Sequence, residues 1–238
     1  MPEHQKTSGL RLPPGVFISC QAPVGSPLRN PSIMVSLALA AQKAGAAGIR
    51  AEGAEDISQI VRAVQIPVIG IRKKHYDGGE VYITPTRFEV DEIAGAGATI
   101  LALDATTRPR PGGETLECVV SHAKALGLIV MADLSRAEDA GPAVEAGADV
   151  LVTTLVAASE QDIRPGGPNL SVIERLAQSF PDRQIIAEGR FAGPKDVQGA
   201  LRAGASTVVV GKAVTDAYAL TIDLVAAANS LAASRPVG

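Results

Sequence analysis

Several apolar runs in this chain end in polar groups that can carry charge or move a proton. In PVIGIRKKHY, Pro67 to Tyr76, a run suited to a sheet interior ends in Arg72, Lys73 and Lys74. ISCQA ends in Ser19 and Gln21, GIRAEG in Arg50, and ALDATT in Asp104 and Thr106. MADLS carries Asp133, LVTTL carries Thr153 and Thr154, IIAEGR carries Glu188, Gly189 and Arg190, and VVVGKA carries Gly211 and Lys212. An amine, carboxylates and a guanidinium brought to one place form a general acid–base set that can also stabilise developing charge.

Each of these residues also has an ordinary structural explanation. Asp133 could cap the helix that follows it, and Asp104 could close a turn. Arg50 could pair with Glu52 or Asp56 on the surface. Lys74 and His75 could simply face water, and His4 and His122 read as surface residues. Glu188 is harder to dismiss, because packing alone rarely ends a strand in AEGR.

The elements that would gather these residues can be read from an internal rhythm. KAGAAGIRAEG, GAGATILALDAT, EAGADVLVTTL and RAGASTVVVGKA share a plan: a helix ends at Ala-Gly-Ala and a β-branched run follows. The glycines, Gly45, Gly97, Gly147 and Gly204, supply the left-handed position that ends a helix. The runs suit strands covered on both faces. Strands are expected near 15–21, 47–51, 67–73, 99–105, 129–134, 149–154, 184–189 and 206–211. Helices are expected near 33–44, 54–64, 87–96, 114–126, 137–146, 169–180, 194–203 and 216–231, with Asn169, Ser135 and Asp56 as candidate N-caps. Eight strand–helix units in 238 residues point to an α/β fold, a single-domain (β/α)8 TIM barrel over residues 15–238, preceded by a loose leader over 1–14. Every polar strand end then meets at the carboxyl-terminal rim, where such barrels place their chemistry. Alternation sets Ile69, Ile71 and Lys73 on one face of their strand and Val68, Gly70, Arg72 and Lys74 on the other, without deciding which faces the axis.

Composition removes other classes. The net charge of −3 and the absence of tryptophan argue against nucleic-acid binding. No apolar run approaches the ~18 residues of a membrane span, so no membrane partner is expected. Cys20 and Cys118 have no metal-ligand or disulfide pattern and read as small core residues in a reducing cytoplasm.

The ordered set ISCQA, GIRAEG, PVIGIRKKHY, YITPT, ALDATTRPRPGG, MADLS, TTL, IIAEGR and VVVGKAVT resembles the N-acylglucosamine-6-phosphate 2-epimerases from about Gly15 to about Ala213. The resemblance implies a cofactor-independent and metal-free carbohydrate epimerase, commonly a homodimer. Its substrate would be a phosphosugar: N-acetylmannosamine 6-phosphate, converted to N-acetylglucosamine 6-phosphate in sialic-acid and amino-sugar catabolism. It implies Lys73 and Glu188 as catalytic residues and Gln21, Arg50, Asp133 and Thr153 as substrate-binding residues. It also implies a phosphate site at Gly189, Arg190 and Gly211, which Lys212 adjoins.

The residue chemistry is compatible with those roles. Epimerisation at C2 needs an open sugar chain, a base for the C2 proton and protonation of the enolate on the other face. A lysine serves as base only if its pKa falls from about 10.4 toward neutrality. Burial and a nearby cation such as Arg50 act in that direction.

Three departures stand out. The family pattern VVVGGAITRP reads VVVGKAVTDA here, so Lys212 replaces a glycine and Asp216 an arginine. Lys212 could substitute for that arginine as a point charge. TTL is followed by VAASEQDIRPGG, and Arg72 stands where an apolar residue is usual. Two alternatives stay open: a Schiff-base phosphosugar isomerase or lyase acting through Lys73, and a non-catalytic sugar-phosphate-binding barrel. The helix DAYALTIDLVAAANSL could cover its own barrel or pack on a second subunit.

Overall fold

A computed structural model describes residues 11–77, 79–157 and 166–233. Eight strands alternate with helices: β1 (Gly15–Cys20), β2 (Gly48–Glu52), β3 (Val68–Ile71), β4 (Ile100–Asp104), β5 (Ile129–Asp133), β6 (Val150–Val152), β7 (Gln184–Glu188) and β8 (Thr207–Val210). Each strand pairs in parallel with the next, and β8 pairs with β1 to close the barrel. Around it lie α1 (Pro31–Lys43), α2 (Ala54–Ala63), α3 (Arg87–Gly95), α4 (Leu116–Ala125), α5 (Ala140–Glu145), α6 (Leu170–Ser179) and α7 (Pro194–Arg202). After β8 come a single turn, α8 (Lys212–Thr215), and a long helix, α9 (Ala217–Ala233).

Apolar side chains separate into two bodies. Phe17, Ile69, Ile71, Ile100, Met131, Val152, Ile186 and Val209 fill the barrel interior. Ile18, Ile49, Leu101, Leu103, Val130, Leu151 and Val208 pack outward against the helices. Strand alternation therefore places Ile69, Ile71 and Lys73 toward the axis. Continuing each inward series one step up gives the rim: Glu52 after Arg50, Asp104 after Ala102, Asp133 after Met131, Thr154 after Val152, and Glu188 after Ile186. Gly45, Gly97, Gly147 and Gly204 all carry positive φ at helix ends, between 89° and 103°.

The caps differ in part from the sequence expectation. Asn169 does cap α6, its Oδ1 accepting the Val172 N–H at 3.3 Å. Ser135 is not a cap; Asp139 accepts from its N–H and hydroxyl instead. Asp56 lies inside the first turn of α2, after Gly53. Helix α3 begins with a reciprocal box in which Thr86 and Glu89 satisfy one another's backbone.

The expected loose leader over 1–14 extends too far. Leu12 is buried beneath the barrel and exchanges two 2.9 Å hydrogen bonds with the Gln184 side chain, while Pro13 O accepts from Thr207. His4 lies outside the described residues. Cys118 is exposed on α4 rather than in a core, whereas Cys20 is buried and its thiol is pushed up to about 12 by desolvation. His122 pairs with Asp91 at 2.7 Å. Among the described residues no helix is long and apolar enough to cross a membrane.

Candidate active site

The carboxyl-terminal mouth holds a cavity of about 520 Å3. Lys73, Glu188, Gln21, Ser19, Glu52 and Gly211 line it, together with His75 and Lys212. Residues 73 and 188, far apart in the chain, thus open into one space.

Arg50 is the keystone beneath them. Its side chain rises inside β2 and is 1% exposed. One face donates to both Asp133 oxygens, Nη1–Oδ1 at 3.2 Å and Nη2–Oδ2 at 2.6 Å. Nη1 also lies 2.8 Å from Glu188 Oε2. Thr154 completes the knot: its hydroxyl donates to Asp133 Oδ1 at 2.6 Å and lies 3.1 Å from Glu188 Oε2. A buried guanidinium between two carboxylates is stable only with such pairing. Asp133 is therefore committed to Arg50 and Thr154, not to capping a helix. Arg50 Nε is buried with no hydrogen-bond partner among the described residues.

These surroundings shift both titrating groups toward neutrality. Glu188 is pushed up to about 6: desolvation raises it and Asp133 adds to that, against Arg50, Thr154 and Lys73. Lys73 is held below the usual amine range, first by desolvation and then by the Arg50 charge, with Glu52, Glu188 and Asp133 opposing. Its side chain is exposed at the cavity mouth. A depressed amine beside a raised carboxyl is a proton-transfer pair.

Several sequence assignments move. Thr153 does not face the cavity with its hydroxyl: it bridges β6 to β7, donating to Glu188 O at 2.9 Å and accepting the Glu188 N–H at 3.0 Å. Thr154 is the residue that alternation aims inward. Gln21 lines the cavity, its Nε2 donating to Ser19 Oγ at 2.6 Å. Among the four expected phosphate residues, Gly211 and Lys212 line the cavity. Gly189, at φ 109°, makes the turn out of β7, its Cα facing the Thr153 and Thr154 carbonyls. Arg190 turns its guanidinium away, donating to Gly167 O at 2.6 Å and Val156 O at 2.7 Å, so that it grips the β6–α6 loop. The expected sugar-contacting part of that loop, residues 158–165, lies outside the described residues. Lys212 Nζ rests 2.6 Å from Asp223 on α9. Arg72, on the outer face, pairs with Glu52 and Glu92.

Asp104 is fully buried and accepts from the Thr106 N–H and hydroxyl and from Arg108 Nη2. The turn expected of it is present, with a cation added. Beyond β3 the chain folds into a short antiparallel excursion, in which Lys74 N–H donates to Tyr82 O at 2.9 Å and Thr84 N–H to Arg72 O at 2.7 Å. His75 stacks on Tyr82 with ring centroids 5.1 Å apart.

Comparison with known proteins places this geometry in context. A family model described as "Putative N-acetylmannosamine-6-phosphate epimerase" matches residues 34–230. A relative from Caldanaerobacter subterraneus subsp. tengcongensis, described as a 2-epimerase of the same compound, is 44% identical over 213 residues, covering 89% of this chain and 90% of its own. A Clostridioides difficile relative with the same description is 40% identical over 206 residues, covering 87% and 92%. The solved structure of the N-acetylmannosamine-6-phosphate 2-epimerase from Clostridium perfringens superposes with a TM-score of 0.82 at 37% identity, over 88% of this chain and 91% of that one.

Proposed function

The chain belongs to the N-acetylmannosamine-6-phosphate epimerase family, and from that premise we propose how its cavity works. It is an enzyme that inverts C2 of N-acetylmannosamine 6-phosphate to give N-acetylglucosamine 6-phosphate. The sugar opens to its C1 aldehyde as the Glu188 carboxyl, poised near 6, gives a proton to the ring oxygen and takes the one released by the anomeric hydroxyl. The neutral Lys73 amine takes the C2 proton. The C–H electron pair becomes the C1–C2 double bond, and negative charge passes to O1. A proton drawn from solvent reaches the opposite face of C2 and restores the aldehyde with inverted configuration, while the Lys73 ammonium releases its own to solvent. Arg50, locked by Asp133 and Thr154, keeps Glu188 in place and lends positive charge to the enolate.

The observation that carries this reading is the common cavity of Lys73 and Glu188 above the Arg50–Asp133 pair. The phosphate is assigned to the Gly211 turn, where a β8 site is usual in phosphate-binding barrels. Lys212 adjoins it and would have to leave Asp223 to reach the phosphate. No metal or redox cofactor takes part in the steps assigned here. The reaction belongs to the cytoplasm, and the functional unit is a homodimer joined through α9.

The test is proton NMR of N-acetylmannosamine 6-phosphate in heavy water. The enzyme should interconvert the two sugars and place deuterium at C2, and Lys73→Ala should abolish both while keeping its circular dichroism. Normal exchange in that variant would remove Lys73 as the base. A depressed amine also suits attack on a carbonyl. Borohydride trapping of substrate on Lys73 would therefore replace proton transfer with the Schiff-base alternative.

A further inference from the structure

The backbone ladder between β2 and β3 stops one step short of Lys73. Ile71 pairs opposite Glu52, and its carbonyl accepts the Gly53 N–H at 2.9 Å. The next acceptor in a parallel ladder would be the Gly53 carbonyl. Gly53, at φ 91°, has already left the sheet, and its carbonyl accepts the Ile57 N–H at 3.0 Å as α2 begins. The Glu52 side chain stands in the vacated position: its Oε1 accepts the Lys73 N–H at 3.2 Å. On the other side, Lys73 forms an antiparallel bridge with Ile83.

Glu52 is buried and braced from two directions. Arg72 Nη1 lies 3.4 Å from Oε1, and Arg29 Nη2 lies 3.6 Å from Oε2. Arg72 is held in turn by Glu92 on α3, with Nε–Oε2 at 3.1 Å. Such bracing exceeds what one backbone N–H requires, and it fixes a carboxylate that also lines the reaction cavity.

Building on the reading of Lys73 as the base, we propose that Glu52 is its positioning residue: the carboxylate serves as the missing ladder acceptor, fixes the Lys73 backbone at the end of β3, and so aims the amine into the cavity shared with Glu188. A carboxylate accepts an N–H more strongly than a carbonyl does, and base placement within an ångström governs rate. Its charge also faces the amine. Arg50 on β2, Asp133 on β5 and Glu188 on β7 act on Lys73 as well, but among the acids Glu52 pulls hardest toward the ammonium form. Arg29, His75, Lys212 and Asp216 share the same cavity.

Two substitutions separate position from charge. Glu52→Gln keeps an oxygen for the Lys73 N–H and removes the charge, so Lys73 should titrate at lower pH, and the limb of the kcat profile that belongs to it should move the same way. Glu52→Ala removes both, and kcat should fall about 10- to 100-fold with KM little changed. The titration is read without turnover, from the pH dependence of Lys73 acylation by acetic anhydride, located by mass spectrometry. An unchanged Lys73 midpoint in the Gln variant overturns the proposal, as does a folded Ala variant with the parent's kcat. If the Ala variant does not fold, the Gln titration decides alone. Lys73→Ala with normal C2 exchange would overturn the base assignment instead, and the Gln titration would still judge whether Glu52 acts on Lys73.

Discussion

Glu188 shows how one residue can be both costly and useful. Its carboxyl is raised to about 6 by burial, while an unfolded glutamate titrates near 4.5. Between those values the folded protein holds more protons than the unfolded chain, so stability falls as pH rises through that window and levels off above it. The size is about 2 kcal/mol, from roughly 1.5 pH units at 1.36 kcal/mol each. Glu188→Gln cannot ionise and should flatten this slope, which urea midpoints at pH 5 and pH 7 would reveal; an equal slope in the variant would place the cost elsewhere. The same substitution should remove the limb near pH 6 from the kcat profile. Glu188, Arg50, Asp133 and Lys73 were legible in the sequence because each ends an apolar run, where a charged group has no packing reason to be. Thr153 and Thr154 are adjacent and identical, so the sequence offers no chemical contrast between them. Only the inward series Val150, Val152, Thr154 separates them, and that series was undecided until the barrel showed which face looks inward. The task of Glu52 is invisible in the sequence, since it depends on where the β2–β3 ladder stops.

At the level of elements, the strands were legible because a parallel strand buried on both faces must be a continuous β-branched run. The helix starts were less so. Ser135 and Asp56 have the right chemistry for caps, but the neighbouring Asp139 and Gly53 take those places. Loop chemistry was the least visible. Arg190 follows Glu188 directly and invites assignment to an anion, yet its backbone at φ 61° turns the side chain onto the carbonyls of Val156 and Gly167. Two charge-assisted hydrogen bonds there brace the start and end of the β6–α6 loop. Arg190→Ala should therefore lower stability by about 2 kcal/mol in urea unfolding while leaving the affinity for inorganic phosphate unchanged. A loss of phosphate affinity with unaltered stability would return Arg190 to the anion site.

For the whole molecule, closure of the barrel leaves one element without a bed. A helix that follows the last strand ordinarily covers the outside of the sheet between β8 and β1. Here Val16, Ile18, Val210 and Val214 instead border an open apolar depression of about 500 Å3, with Ala192, Pro194 and Val197 on its α7 side. Helix α9 stands exposed along nearly its whole described length: Tyr218, Leu220, Ile222, Val225 and Leu224 all face water, the last at 72%. Of the two roles open to this helix from its sequence, covering its own barrel is thus not the one it plays in the isolated chain. Five large apolar side chains on one exposed helix exceed the scattered exposure normal for a monomer. Their burial against a second copy would remove that liability and cover the depression, at roughly 25 cal/mol for each Å2 withdrawn from water. The chain should therefore sediment as a dimer. Replacing Ile222 and Leu224 with Glu should shift it toward monomer at micromolar concentration, because each carboxylate would be driven into an apolar contact. Sedimentation velocity distinguishes the outcomes. A parent that remains monomeric at high concentration, or a double variant that still dimerises fully, would show that α9 does not join two subunits.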